Sequence, residues 1–198
     1  MRAKDTTLLS ICRAETQIAA RNLLGACLVS ETPEGLVSGK IVEVEAYGGP
    51  ADAGSHISRA VTDRTKIMAA APGLAYVYII YGVHCCLNVV AHADGQAGAV
   101  LVRAIEPVSG VPLMQQRRGV ERVRMLCSGP GKLCQSFGIT KHLNGHALTD
   151  SPLYVTVGEP VADDQVVAAK RINIDYAGEA KEWLWRFYIK DNSYISHK

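Results

Sequence analysis

The alternation of hydrophobic and polar positions is sharpest in the run Ile41-Val42-Glu43-Val44-Glu45-Ala46-Tyr47. A period of two predicts a β-strand with Glu43, Glu45 and Tyr47 on one face and Val42, Val44 and Ala46 on the other. One face packs and the other is free to carry chemistry. A second run, Tyr76-Val77-Tyr78-Ile79-Ile80-Tyr81-Gly82, places Tyr76 and Tyr78 on a common face and ends where Tyr81-Gly82 must turn the chain. Residues 74–91 contain no formally charged side chain and approach the length of a membrane span. Their richness in Tyr, Val and Ile, the break at Gly82 and the polar His84 and Asn88 predict two β-strands instead, and no membrane.

The remaining pattern supplies the other elements. Residues 15–24 read as a short amphipathic helix closed by Gly25, followed by a strand at 26–30, a polar turn, and a return strand at 36–40 running into the Glu43/Glu45 strand as a meander. Residues 48–72 read as loop. Residues 99–107 read as a buried strand with Arg103 inside it; an arginine in so apolar a strand requires a carboxylate or phosphate partner. A helix is expected over 112–125, carrying Arg117, Arg118, Arg122 and Arg124, although Gly119 interrupts it. Ser128-Gly129-Pro130-Gly131-Lys132-Leu133 has the composition of a phosphate loop without its spacing, and opens a helix at 133–137. Short apolar runs at 153–157 and 185–189 complete a sheet. Residues up to Cys12 carry no readable pattern.

Composition narrows the class. The 198 residues are 48% apolar and 20% charged, enough for a real core in one domain, residues 1–198. A net charge of +2 gives no argument for nucleic acid by itself; that argument rests on where the basic residues sit. Six cysteines without a Cys-x-x-Cys pair read as reduced, mostly buried thiols, and with no secretory leader in view the expected compartment is intracellular. No metal site is expected.

A carboxylate beside several aromatic rings is the composition of a pocket for a flat ring. The runs quoted above, with Gly49-Pro50, His56, Pro72-Gly73-Leu74-Ala75, Asn88, Val100-Leu101-Val102-Arg103-Ala104-Ile105-Glu106-Pro107, Gly129-Pro130-Gly131-Lys132-Leu133-Cys134-Gln135 and Trp185-Arg186-Phe187-Tyr188-Ile189, resemble the alkyladenine (3-methyladenine) DNA glycosylase family in family order. The resemblance implies an α+β fold, a single domain with a curved antiparallel β-sheet, surrounding helices and a protruding β-hairpin. It also implies a monofunctional base-excision enzyme without cofactor, acting as a monomer on damaged double-stranded DNA.

By that resemblance Glu45 activates the attacking water and Arg103 holds water and carboxylate. Tyr47 stacks on one side of a flipped purine with His56 and Tyr78 on the other, Asn88 forms the pocket floor, and Tyr81 fills the gap left in the duplex. Arg59, Arg64 and Lys132 are the expected contacts to the DNA backbone. One departure stands out: the glycine- and arginine-rich loop that follows the histidine in the family is here Ile57-Ser58-Arg59-Ala60-Val61-Thr62-Asp63-Arg64-Thr65-Lys66, without the paired glycines. Glu43 reads as a structural partner of a basic residue. Two other readings of the same residues are a damage sensor that binds without chemistry, for which Glu45 is dispensable, and a hydrolase of free nucleosides.

Overall fold

The computed structural model describes residues 3–197. The chain enters through α1 (Ala3–Cys12) and α2 (Thr16–Leu23). In α2 the buried positions Thr16, Ala19, Ala20 and Leu23 form the i, i+3, i+4, i+7 stripe of an amphipathic helix. Gly25, at φ +83°, then turns the chain into β1 (Cys27–Thr32). A tight turn at Pro33-Glu34 leads into β2 (Gly35–Tyr47), the longest strand at 13 residues.

The hairpin β3 (Ala75–Ile80) and β4 (His84–Val90) follows, then β5 (Ala99–Ser109), α3 (Val111–Arg118), α4 (Pro130–Phe137), β6 (Leu153–Thr156), β7 (Val166–Ala169) and β8 (Arg186–Ile189). All pairings are antiparallel, in the order β3-β4-β5-β2-β1-β6, with β8 pairing both β2 and β7. β2 therefore organises the sheet. Along one edge it pairs β5; along the other it pairs β1 through its first half and β8 through residues 43–45. The expected meander is confined to β1 and β2, because the strand beyond β2 is β5.

The main core lies between the helices and one sheet face, and joins Leu8, Ala19 and Leu23 to Ile41, Val44, Ala46, Val102 and Ile105, with Met114, Leu133 and Phe137 from α3 and α4. Strict alternation placed Val42 with Val44 and Ala46. The register is instead shifted between Ile41 and Glu43, and Ile41 is the residue that joins Val44 and Ala46 in the core. A bulge at Val42 resets the parity, so that an aliphatic run can pack at Ile41 and present Glu43 and Glu45 opposite. A second, smaller cluster of Ile57, Met68, Tyr76, Val90, Ala97 and Ala99 fastens the 48–72 loop to the sheet.

One further expectation needs correction. The helix over 112–125 ends at Arg118, because Gly119 takes φ +62° and caps it; only a short 3₁₀ turn, Val123–Met125, follows. Residues up to Cys12, unreadable as sequence, contribute α1. The reduced thiols hold, with all six cysteines free and four of them buried. Among the described residues no helix is long and apolar enough to cross a membrane.

Candidate active site

Glu43 and Glu45 leave β2 on the face opposite the main core, and both are fully buried. A buried carboxylate without partners is very costly, so its ligands define the site. Glu45 Oε2 accepts hydrogen bonds from Arg103 Nη1 at 3.1 Å and from the Tyr47 hydroxyl at 2.8 Å, and Oε1 accepts from the Ile172 amide at 2.7 Å. Glu43 takes the other side of the same guanidinium, with Arg103 Nε at 3.4 Å, and is also held by Arg186 Nη1 at 2.9 Å and by the Ser196 hydroxyl and amide. Burial alone would make Arg103 easier to deprotonate; the Glu45 and Glu43 carboxylates outweigh it and raise its pKa. Burial, followed by the Glu45 charge, pushes the Tyr47 hydroxyl well above its usual range, so it stays a donor.

The rings come from the hairpin and the loop. Tyr76 and Tyr78, two apart on β3, have centroids 5.2 Å apart, and His56 meets the Tyr78 ring edge-on at 4.7 Å. Asn88, cross-strand from Tyr76, donates Nδ2 to the Tyr76 carbonyl at 3.0 Å. The hairpin turns through Tyr81 at φ +50° and Gly82 at φ +73°, with the Val83 amide closing onto the Ile80 carbonyl. Tyr81 is 86% exposed at this tip.

These groups surround a cavity of about 280 Å³. Of the expected residues, Tyr47, His56, Tyr78, Tyr81, Asn88 and Arg103 line it, and Glu45 lies behind three of the lining residues, Tyr47, Arg103 and Ile172. The three expected backbone contacts do not line it, although two of them pack against rings that do. Arg59 lies over the Tyr176 ring at 4.6 Å, Arg64 over Tyr78 at 4.7 Å, and Lys132 lines a separate cavity of about 390 Å³ with His84 and Arg118. Glu43 has the basic partners expected of it. No group of three or more His, Cys, Asp or Glu among the described residues is placed to hold a metal ion.

Sequence reasoning missed one whole wall, formed by Ile172, Asn173, Ile174 and Tyr176. It is anchored by Arg171, whose guanidinium binds the Asp52 carboxylate bidentately at 2.6 and 2.8 Å and also reaches the Ala46 and Ala180 carbonyls. Asp52 in turn accepts from the Gly48 and Gly54 amides. Arg171 also lies over Tyr47 at 4.9 Å, behind the ring that faces the cavity. No local pattern marks Arg171, whose partners Asp52 and Ala46 lie far away in sequence.

Relatives share this chain nearly end to end. It is 44% identical over 188 residues to an Alkaliphilus oremlandii protein (90% of this chain, 93% of the relative), 48% over 182 residues to one from Carboxydothermus hydrogenoformans (91% and 93%), and 44% over 193 residues to one from Desulfitobacterium hafniense (93% and 95%). Each bears the name "Putative 3-methyladenine DNA glycosylase". The class is thus that of the DNA repair glycosylases, hydrolases of N-glycosyl bonds whose substrate is DNA. Within it, this chain belongs to the methylpurine-DNA glycosylase family, whose model matches residues 10–193.

Proposed function

We propose that the protein removes alkylated purines from duplex DNA by flipping the damaged nucleotide into the ring-lined cavity and hydrolysing its glycosidic bond with a water activated by Glu45. The observation that carries this reading is the Glu45 carboxylate, fully buried, paired with Arg103 and held directly behind the cavity-lining Tyr47 and Ile172. As the bond from C1′ to the base nitrogen breaks, its electron pair leaves with the base and the sugar gains oxocarbenium character. Water attacks C1′ and yields its proton to Glu45. A cationic 3-methyladenine departs as a neutral base and requires no acid. The products are the free base and an abasic sugar.

Tyr47 has two roles in this scheme. In this structure its hydroxyl occupies Glu45 Oε2; when a base stacks on the ring, that contact yields and the oxygen turns to water. Tyr78 and the neutral His56 ring form the opposite wall, where aromatic faces favour a flat cation by about 0.5–2 kcal/mol each. Asn88, with one amide hydrogen committed to the Tyr76 carbonyl, presents its remaining polar atoms at the floor and rejects guanine's exocyclic amine. Unstacking the target costs a few kcal/mol, and Tyr81, exposed at the hairpin tip, offsets part of it by entering the duplex. Lys132 and Arg59 reach the phosphates, and the enzyme acts as a monomer. Deaminated and etheno purines, which leave as poorer groups, are the slower substrates.

Single-turnover release of base from duplex oligonucleotides with one damaged purine tests this. The wild type releases base, and Glu45→Gln binds the same duplex but releases base orders of magnitude more slowly. Equal binding with no release by either protein from any alkylated substrate would leave a damage sensor.

A further inference from the structure

Arg64 stands in the loop that departs from the family pattern and is exposed, yet it contacts three residues of the pocket wall, Tyr76, His56 and Tyr78. Its Nε donates to the Tyr76 hydroxyl at 3.2 Å, its Nη2 donates to His56 Nε2 at 3.1 Å, and its guanidinium plane covers the Tyr78 ring at 4.7 Å. Arg64 lines a different cavity from the base pocket, on the far side of Tyr76 and Tyr78. It is a backing plate behind the wall.

The hydrogen bonds fix the state of the histidine. A guanidinium can only donate, and Arg64 Nη2 faces both imidazole nitrogens, Nε2 at 3.1 Å and Nδ1 at 3.4 Å, so whichever nitrogen it bonds must be an acceptor with its lone pair free. With the shorter contact, to Nε2, as that bond, Nδ1 carries the hydrogen and donates to the Tyr76 hydroxyl at 3.1 Å. This bonding admits only the neutral ring, because a protonated imidazole has no lone pair for Arg64. Three ring contacts are set at once, and the same cation that sets them opposes protonation of His56.

We infer that Arg64 is a positioning residue that locks His56 and Tyr78 as an uncharged wall, so that the pocket admits a cationic purine under acidic as well as neutral conditions. The inference rests on the cavity being the base pocket. The charged and titratable groups facing His56 are Arg64 and Arg59 from its own loop and Tyr76 and Tyr78 from β3. Burial first, then Arg64, then Arg59 depress the His56 pKa to about 4. Removing Arg64 relieves the second of these causes, and an alanine there also admits water to the ring.

The test uses Arg64→Ala and Arg64→Met, the latter keeping cover over Tyr78 without the charge or the donors. His56 is titrated by proton NMR in the DNA-free protein, its resonance assigned with His56→Phe. The expected result is an upward shift of the His56 titration in both variants, larger for alanine. Base release from a 3-methyladenine duplex is then measured at pH 7.5 and 5.5 as the ratio of variant to wild type, which cancels any limb due to other groups. A ring restored to its ordinary value near 6.5 would be about tenfold less neutral at the lower pH, so the ratio falls by up to about tenfold. DNA affinity keeps its salt slope. An unmoved His56 titration, or a pH-independent loss accompanied by a salt slope smaller by about 0.9, would instead make Arg64 a phosphate contact and overturn the inference. Because the titration needs no substrate, it stands or falls separately from the base-pocket reading, which fails if Tyr78→Ala leaves base release unchanged.

Discussion

The two sides of the cavity are built on different principles. The carboxylate side, on β2, β5 and β8, is buried and redundant: Glu43 and Glu45 share Arg103, Arg186 adds a second cation to Glu43, and the Ile172 amide and the Ser196 hydroxyl take further lone pairs. The ring side has a single buried tyrosine, Tyr76, surrounded by half-buried or exposed groups from a hairpin and a loop: Tyr78, His56, Tyr81 and Arg64. Reacting groups need placement within fractions of an ångström, which strands crossed by ion pairs provide. Selection of a base tolerates more give. Loops and hairpin tips suit that task, since they open locally at little cost.

The sharpest break of this contrast is Glu45→Gln. It is nearly isosteric and leaves Arg103 paired with Glu43, so the fold should survive while the proposed general base is removed; excision should fall by about 10²–10⁴ with DNA affinity retained, as measured by single-turnover release beside a binding titration. Second in size is Glu43→Ala. It strips a fully buried carboxylate from Arg103 and Arg186 together, leaving buried cations short of a partner, and should cost about 3–5 kcal/mol in denaturant unfolding. The two substitutions lie two residues apart on one strand, yet one should strike rate and the other stability.

That division was half legible in the sequence. The alternation around Glu45, an arginine in an apolar strand and the paired tyrosines announced themselves because each is a local pattern. What escaped depends on distant segments. Arg171 finds Asp52 across 119 residues and the Ile172 amide finds Glu45 across 127, and no spacing announces such a meeting. The bulge at Val42 is invisible to a period of two, since it is the register against β5 that shifts. Gly119 was noted as an interruption, and its left-handed conformation made it a terminus.

On the ring side effects should be smaller and fall on binding. Tyr78→Ala removes one stacking face and the platform for Arg64, and should weaken capture of the flipped base by about 1–3 kcal/mol, whereas Tyr78→Phe retains both contacts. The pair is read by single-turnover rates at limiting enzyme. Folding stability should barely respond to Tyr81→Ala, staying within about 0.5 kcal/mol because the side chain is 86% exposed, while release from duplex slows and release from a single-stranded substrate does not.

The last effect separates the two sides by pH. His56 has its folded pKa depressed to about 4, below the usual 6.5 for an unfolded chain, chiefly by burial and then by Arg64 and Arg59. The unfolded state therefore takes up the proton first as pH falls. His56 contributes nothing against folding above pH 6.5, and its neutral burial costs stability progressively between pH 6.5 and 4, by up to about 1 kcal/mol per pH unit before discounting for the ring's partial exposure. Urea unfolding at pH 7.5 and 5.0 should show wild type losing more stability on acidification than His56→Phe does. Equal losses in the two proteins would mean that the ring side tolerates a charge as readily as it tolerates motion.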